Sequence, residues 1–208
     1  MLPLVLLTGM TSLLALASFG PGSAAASRTA IGCGPARAHT LAADRMARVY
    51  VLHKKVYGCT RGSHSRYELG AASNSMGEGR VGPIALAGVD VAFGRTSFGV
   101  DVVSAEVVVE NLTDGRVLHE EAATRSSVGP EYAQQVHSIV VKPDGSVAWI
   151  GTVSAFTSRK SATEVRKADR TARASLDKGN AIRPDSLRLH RSKLTWRDGS
   201  TRKSATLR

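Results

Sequence analysis

The sequence predicts an all-β protein, arranged as a propeller-like array of about four small antiparallel sheets. Three observations predict it. Four segments share one shape: "VYVLHKKVYGC" (49–59), "IALAGVDVAFG" (84–94), "IVVKPDGSVAWIG" (139–151) and "LRLHRSKLTWRDG" (187–199). Each reads as a short strand, a tight turn and a second strand carrying an aromatic residue: Tyr57, Phe93, Trp149 and Trp196. Those aromatics stand 36, 56 and 47 residues apart, a spacing typical of repeat architectures. Units of about 40 to 45 residues match one four-stranded blade. An antiparallel β-sandwich, or an open stack of small sheets, is the alternative.

The elements follow in chain order. Residues 1–26 read as a signal peptide: an apolar run, Leu2 to Phe19, leads into "PGSAAASRT", with Ala24 and Ala26 placed for cleavage. The rival reading is an N-terminal membrane anchor, since the run has about the length of a bilayer crossing. Residues 27–46 form an N-terminal arm. In an exported chain its Cys33 is expected to pair with Cys59, tethering the arm to the second strand of the first hairpin. Within the arm, "TLAADRMARV" predicts a turn or two of helix capped by Thr40. A strand near Ala47 to Tyr50 is expected to close a ring by completing the last unit. Residues 47–208 then form a single β-repeat domain, with units near 47–82, 83–135, 136–180 and 181–208.

Period-2 alternation assigns the faces of these strands. In Val91-Ala92-Phe93, Val147-Ala148-Trp149 and Leu194-Thr195-Trp196, the aliphatic residue and the aromatic share a face, and a small residue looks the other way. Large on one side and small on the other suits sheets stacked closely on both faces. The first copy departs, because Val56 and Tyr57 are adjacent and so point apart. Pro143-Asp144-Gly145 and Asp114-Gly115 supply turns between strands. "ATEVRKADRTARASLDKG" reads either as further strands or as a short helix.

Charge divides the chain unevenly. Residues 28–155 carry 13 basic and 12 acidic side chains, whereas residues 156–208 carry 15 and 5. The excess favours an anionic envelope polymer or membrane surface as partner to residues 156–208. Nucleic acid is disfavoured, because few aromatics stand beside the basic residues to stack on bases.

The hairpins carry a resemblance. "KPDGSVAWI" resembles the repeat of periplasmic propellers of the TolB type. Taken with "ARVYVLHKKVYGCTRGSHSRYELG", "IALAGVDVAFG", "VENLTDGRVL" and "LDKGNAIRPDSLRLHRSKLTWRDGSTRKSATL", the chain is similar to a group of uncharacterised secreted proteins of high-GC Gram-positive bacteria. The resemblance implies a propeller-type repeat fold and export. It transfers no activity, since propellers scaffold enzymes, receptors and adaptors alike.

No motif names a reaction. The six histidines (39, 53, 64, 119, 137, 190) are dispersed, without the i,i+2 or i,i+4 pairing of a metal site, so no metal or cofactor is expected. "SSVGPEY" and "RGSHSRYE" bring Ser, His and Glu close only in sequence, and no nucleophile elbow or phosphate loop is present. Glu120-Glu121 reads as a solvated strand edge. No catalytic residue is assigned. The expected function is a non-catalytic exported β-repeat protein, a binding or scaffold module at the cell envelope. The alternative is an exported hydrolase whose residues converge from loops at one rim of the domain. A cluster of His, Asp and Glu beside a cleft favours the second, and a smooth basic face the first.

Overall fold

Alternation of large apolar with small or polar side chains produces fifteen strands among the described residues. The computed structural model describes residues 33–63, 65–73 and 79–208, so the expected signal peptide lies outside the described residues. The first sheet is a four-stranded meander of β1 (His39–Ala43), β2 (Ala47–Leu52), β3 (Lys55–Thr60) and β4 (Tyr67–Ala71). A second meander follows, with β5 (Val81–Ala87), β6 (Asp90–Phe98), β7 (Val102–Asn111) and β8 (Arg116–Ala122). A third consists of β9 (Tyr132–Val141), β10 (Val147–Ala155), β11 (Ser161–Ala168) and β12 (Arg173–Lys178). Short parallel pairing of β7 with β9, at Val102↔Tyr132 and Val103↔Ala133, joins these two meanders into one eight-stranded sheet. A three-stranded sheet ends the chain: β13 (Arg188–His190), β14 (Lys193–Asp198) and β15 (Thr201–Thr206).

The meanders stack in series, and the repeated aromatics show how. Val91 and Phe93 of β6 pack with Val49 and Val56 of the first sheet, while Ala92 looks the other way into the next layer. In that next layer Val147 and Trp149 of β10 meet Val107 and Val109 of β7. Ala148 and Ile150, on the reverse face of β10, meet Leu194 and Trp196 of β14. Ala92 and Ala148 therefore keep their reverse faces close, whereas Thr195 lies on the outer face of the last sheet, which has no layer beyond it. On the Trp149 face the approach is close too: a Cβ at Gly151 would run into the carbonyl oxygen of Ala123. Tyr57 points away from Val56, and stacks on Tyr50 at 5.9 Å beside the Cys33–Cys59 disulfide.

The expected propeller does not form. Sheets of four, eight and three strands are stacked without closing into a ring, an arrangement nearer to a β-sandwich. Two local causes are visible. Asp44 accepts hydrogen bonds from the amides of Met46 (2.7 Å) and Ala47 (2.8 Å), which folds β1 back onto β2. The segment near Ala47 to Tyr50 is thereby placed between β1 and β3, and is unavailable to complete the last sheet. The β7–β9 pairing, in addition, fuses two units that a propeller would keep separate.

The helix expected in "TLAADRMARV" is replaced by the β1–β2 hairpin, since the Asp44 turn competes with a helical turn. "ATEVRKADRTARASLDKG" forms β11 and β12. The turn through Pro143-Asp144-Gly145 forms as read: Gly145 takes φ 78° and Asp144 accepts the Ser146 amide at 3.1 Å. Among the described residues no helix is long and apolar enough to cross a membrane.

Candidate functional site

The junction between the second and third meanders creates a rim with clefts. β9 pairs with β7 at two positions only; beyond them β8 takes over that edge of β7, while β9 keeps β10 on its other edge throughout. The divergence leaves a wedge, and Gln134 stands in it. The Gln134 carbonyl accepts the Ala105 amide (3.4 Å), and its amide group donates to the hydroxyl (3.3 Å) and carbonyl (3.5 Å) of Thr124. Cavities of about 550, 500 and 190 Å³ all have Gln134 in their walls.

The cavity of about 550 Å³ is lined by Arg80, Thr96, Phe98, Gln135, His137 and Thr152, among others. A bulge in β9 aims one of these residues. Ser138 pairs with Ile150 and Val136 with Gly151, which leaves His137 as the extra residue. Bulges re-aim side chains in this way, often beside binding sites. The His137 Nε2 lies 2.8 Å from the Thr152 hydroxyl oxygen. Burial lowers the His137 pKa below the ordinary histidine value, so the ring is neutral at neutral pH. No charged neighbour contributes to that shift.

The second cavity gathers carboxylates, but arginines engage them. Arg95 binds Glu106 at 2.6 Å and approaches Glu120 at 3.5 Å. Glu121, expected on a solvated edge, is 9% exposed and is held by Arg173 (2.5 Å), Arg125 (3.8 Å) and the buried Arg166 (4.0 Å). The physical reason is register: Glu121 pairs with Val107, whose face looks inward to the third meander. Arg166 donates to the Ala122 carbonyl (3.1 Å) and lies over the Trp149 ring at 5.3 Å, while its Nε has no hydrogen-bond partner. Glu164 accepts the Arg125 amide (3.2 Å) and the Ser126 hydroxyl, fastening the β8–β9 connection to β11. These carboxylates are structural ties, whereas His137 lines the neighbouring cavity without an ionic partner among the described residues.

The other residues singled out by sequence fall elsewhere. Cys33 and Cys59 form the expected disulfide, buried against Tyr50 and Tyr57. Phe93, Trp149 and Trp196 are core residues, 0 to 2% exposed. Trp149 donates to the Ala123 carbonyl (2.9 Å) and Trp196 to Asp177 (2.7 Å). His53 and His190 are exposed at hairpin ends, and His64 lies outside the described residues. Among the described residues, no group of three or more His, Cys, Asp or Glu is placed to hold a metal ion. Sequence reasoning missed the His137 site. The only available signal was the polar run Gln134-Gln135-Val136-His137 inside an otherwise apolar strand pattern.

Fold and rim together define an open stack of antiparallel sheets with a polar cleft where its central sheet divides. No protein-family model matches the chain, and no curated protein matches it.

Proposed function

We propose that the protein is an exported hydrolase working at the rim cleft, with His137 as its base. One observation carries the reading: a neutral, bulge-aimed imidazole bonded to the Thr152 hydroxyl in a 550 Å³ cleft. Such a ring accepts a proton from a bound water or substrate hydroxyl, and Thr152 fixes its orientation. Arg80 is the cationic group in the cleft wall suited to a developing oxyanion, and Gln134 and Gln135 offer amides to a polar substrate. The test is hydrolysis of a panel of activated nitrophenyl esters and glycosides by the purified protein. Loss of a general base costs roughly 10²- to 10⁴-fold, so His137→Ala is expected to lose activity by that factor. The wild-type rate is expected to rise with pH to a plateau governed by a pKa below 6.5. Turnover by His137→Ala at the wild-type rate, or absence of turnover in the wild type across the panel, contradicts the proposal.

A second reading, a non-catalytic binding or scaffold module at the cell envelope, is favoured by the charge of residues 156–208. Arg166 is buried and Lys167 and Lys203 are paired with Asp169 and Asp177, yet most of the remaining cations of that segment are exposed. Salt-sensitive retention on an anionic matrix is the expected behaviour, and retention unchanged by salt contradicts it.

A further inference from the structure

We propose that the outer face of the β13–β15 sheet is a docking surface for a linear phosphate polyanion. The inference deepens the envelope-binding reading and is independent of the cleft. Register sorts the side chains of this sheet. Leu189, Leu194, Trp196 and Ala205 face inward onto the third meander. Their neighbours in sequence therefore face outward: Arg188 and His190 on β13, Lys193 and Arg197 on β14, and Arg202 on β15, all exposed. Thr195, Ser204 and Thr206 fill the same face with hydroxyls. Asp198, the carboxylate of this sheet, has inward parity and is taken by Lys203 at 2.7 Å.

The pairing itself points to an anionic partner. Arg197 stands directly opposite Arg202. Like charges directly opposed across a ladder destabilise it. Among the described residues no carboxylate lies in salt-bridge range of Arg188, Lys193, Arg197 or Arg202; Arg188 donates to the carbonyls of Asp185 (2.7 Å) and Leu187 (2.8 Å). A bound polyanion would neutralise four arginine and lysine charges on one flat face at once.

What the face lacks narrows the partner. Among the described residues the exposed large apolar side chains, such as Phe98, Val100 and Phe156, are elsewhere, so nothing on this sheet enters a bilayer. Trp196 is on the inner side and 2% exposed, so no aromatic platform is offered to bases. Charge and hydroxyls alone suit a polymer of phosphates without bases.

The test titrates purified protein with long-chain inorganic polyphosphate across a range of salt. Two charge-matched variants are compared: Arg188→Gln/Lys193→Gln/Arg197→Gln/Arg202→Gln, and a control, Arg37→Gln/Arg45→Gln/Lys54→Gln/Arg159→Gln, from exposed positions elsewhere. The face variant is expected to lose about tenfold or more in affinity, with a log–log salt slope lower by about 0.7 per phosphate contact removed. The control is expected to stay near wild type. Equal losses in both variants would refute the face while leaving polyanion binding standing. Absence of binding by the wild type refutes the envelope-binding reading as well. Tighter binding to phosphatidylglycerol vesicles than to polyphosphate overturns the choice of a polymer over a membrane. The altered side chains are exposed and the face variant relieves an opposed like-charge pair, so denaturation midpoints no lower than wild type are expected, and they separate lost binding from lost folding.

Discussion

Trp149 and Arg166 meet at the centre of the interface between the second and third meanders, and both depend on one short stretch of neighbouring backbone. The indole donates to the Ala123 carbonyl, and the guanidinium donates to the carbonyl of Ala122. Trp149→Ala removes a fully buried indole and leaves the Ala123 carbonyl unpaired, a change expected to cost about 3 to 5 kcal/mol. Urea denaturation checks it, as a lower midpoint at unchanged slope. Histidines give a second prediction at this scale. His119 and His137 both have lowered pKa values, through burial in each case and through Arg173 in addition for His119. Below 6.5 the unfolded chain therefore binds more protons at these sites than the native one. Their contribution to stability is complete above 6.5 and declines as pH falls toward the lowered values. His119→Gln/His137→Gln is expected to flatten that part of a stability–pH curve measured by denaturant, and an unchanged slope contradicts the assignment. Trp149 was legible as a core residue from alternation alone. Arg166 was not, because a lone arginine in an alternating strand reads as a solvated side chain until its register is known.

Strands and turns carried the clearest sequence signal. The four hairpins with Tyr57, Phe93, Trp149 and Trp196 are β2–β3, β5–β6, β9–β10 and β13–β14, since period 2 and turn chemistry are local properties. The "TLAADRMARV" segment misled because its composition suits a helix, while the Asp44 side chain closes a turn that composition does not weigh. The bulge at His137 was invisible for a related reason: an extra residue is defined only against its partner strand. Two predictions belong to elements. Gly151→Ala drives a Cβ into the Ala123 carbonyl, where backbone cannot yield as a flexible side chain would. It is expected to destabilise the protein and to weaken the Trp149 hydrogen bond to that same carbonyl, seen as a shift in tryptophan emission beside a lower denaturation midpoint. The Cys33–Cys59 link closes a loop of about 26 residues, worth about 3 to 4 kcal/mol through the unfolded chain. Cys33→Ala/Cys59→Ala is expected to lose that much by equilibrium denaturation, and a loss under about 1 kcal/mol contradicts the loop-entropy account.

At the scale of the whole molecule, ring or stack turns on whether the first and last sheets communicate. Repeat spacing and alternating faces were legible, but closure is a long-range property that no hairpin encodes. In this stack β13–β15 rests on the third meander through Leu187, Leu194, Trp196 and Leu207, and β1–β4 rests on the second through Val49, Val56 and Leu69. Each terminal sheet has one stacked neighbour, so stability is expected to fall from the centre toward the ends, as in other serial architectures. Trp196→Ala removes the main contact of the last sheet and its bond to Asp177. Hydrogen exchange is then expected to quicken across β13–β15 and to leave β2 and β3 at their wild-type protection. In a closed ring the two ends would share an interface, and loosening one would loosen the other. Parallel acceleration in β2 and β3 at the same Trp196→Ala substitution is therefore the result that would overturn the open stack.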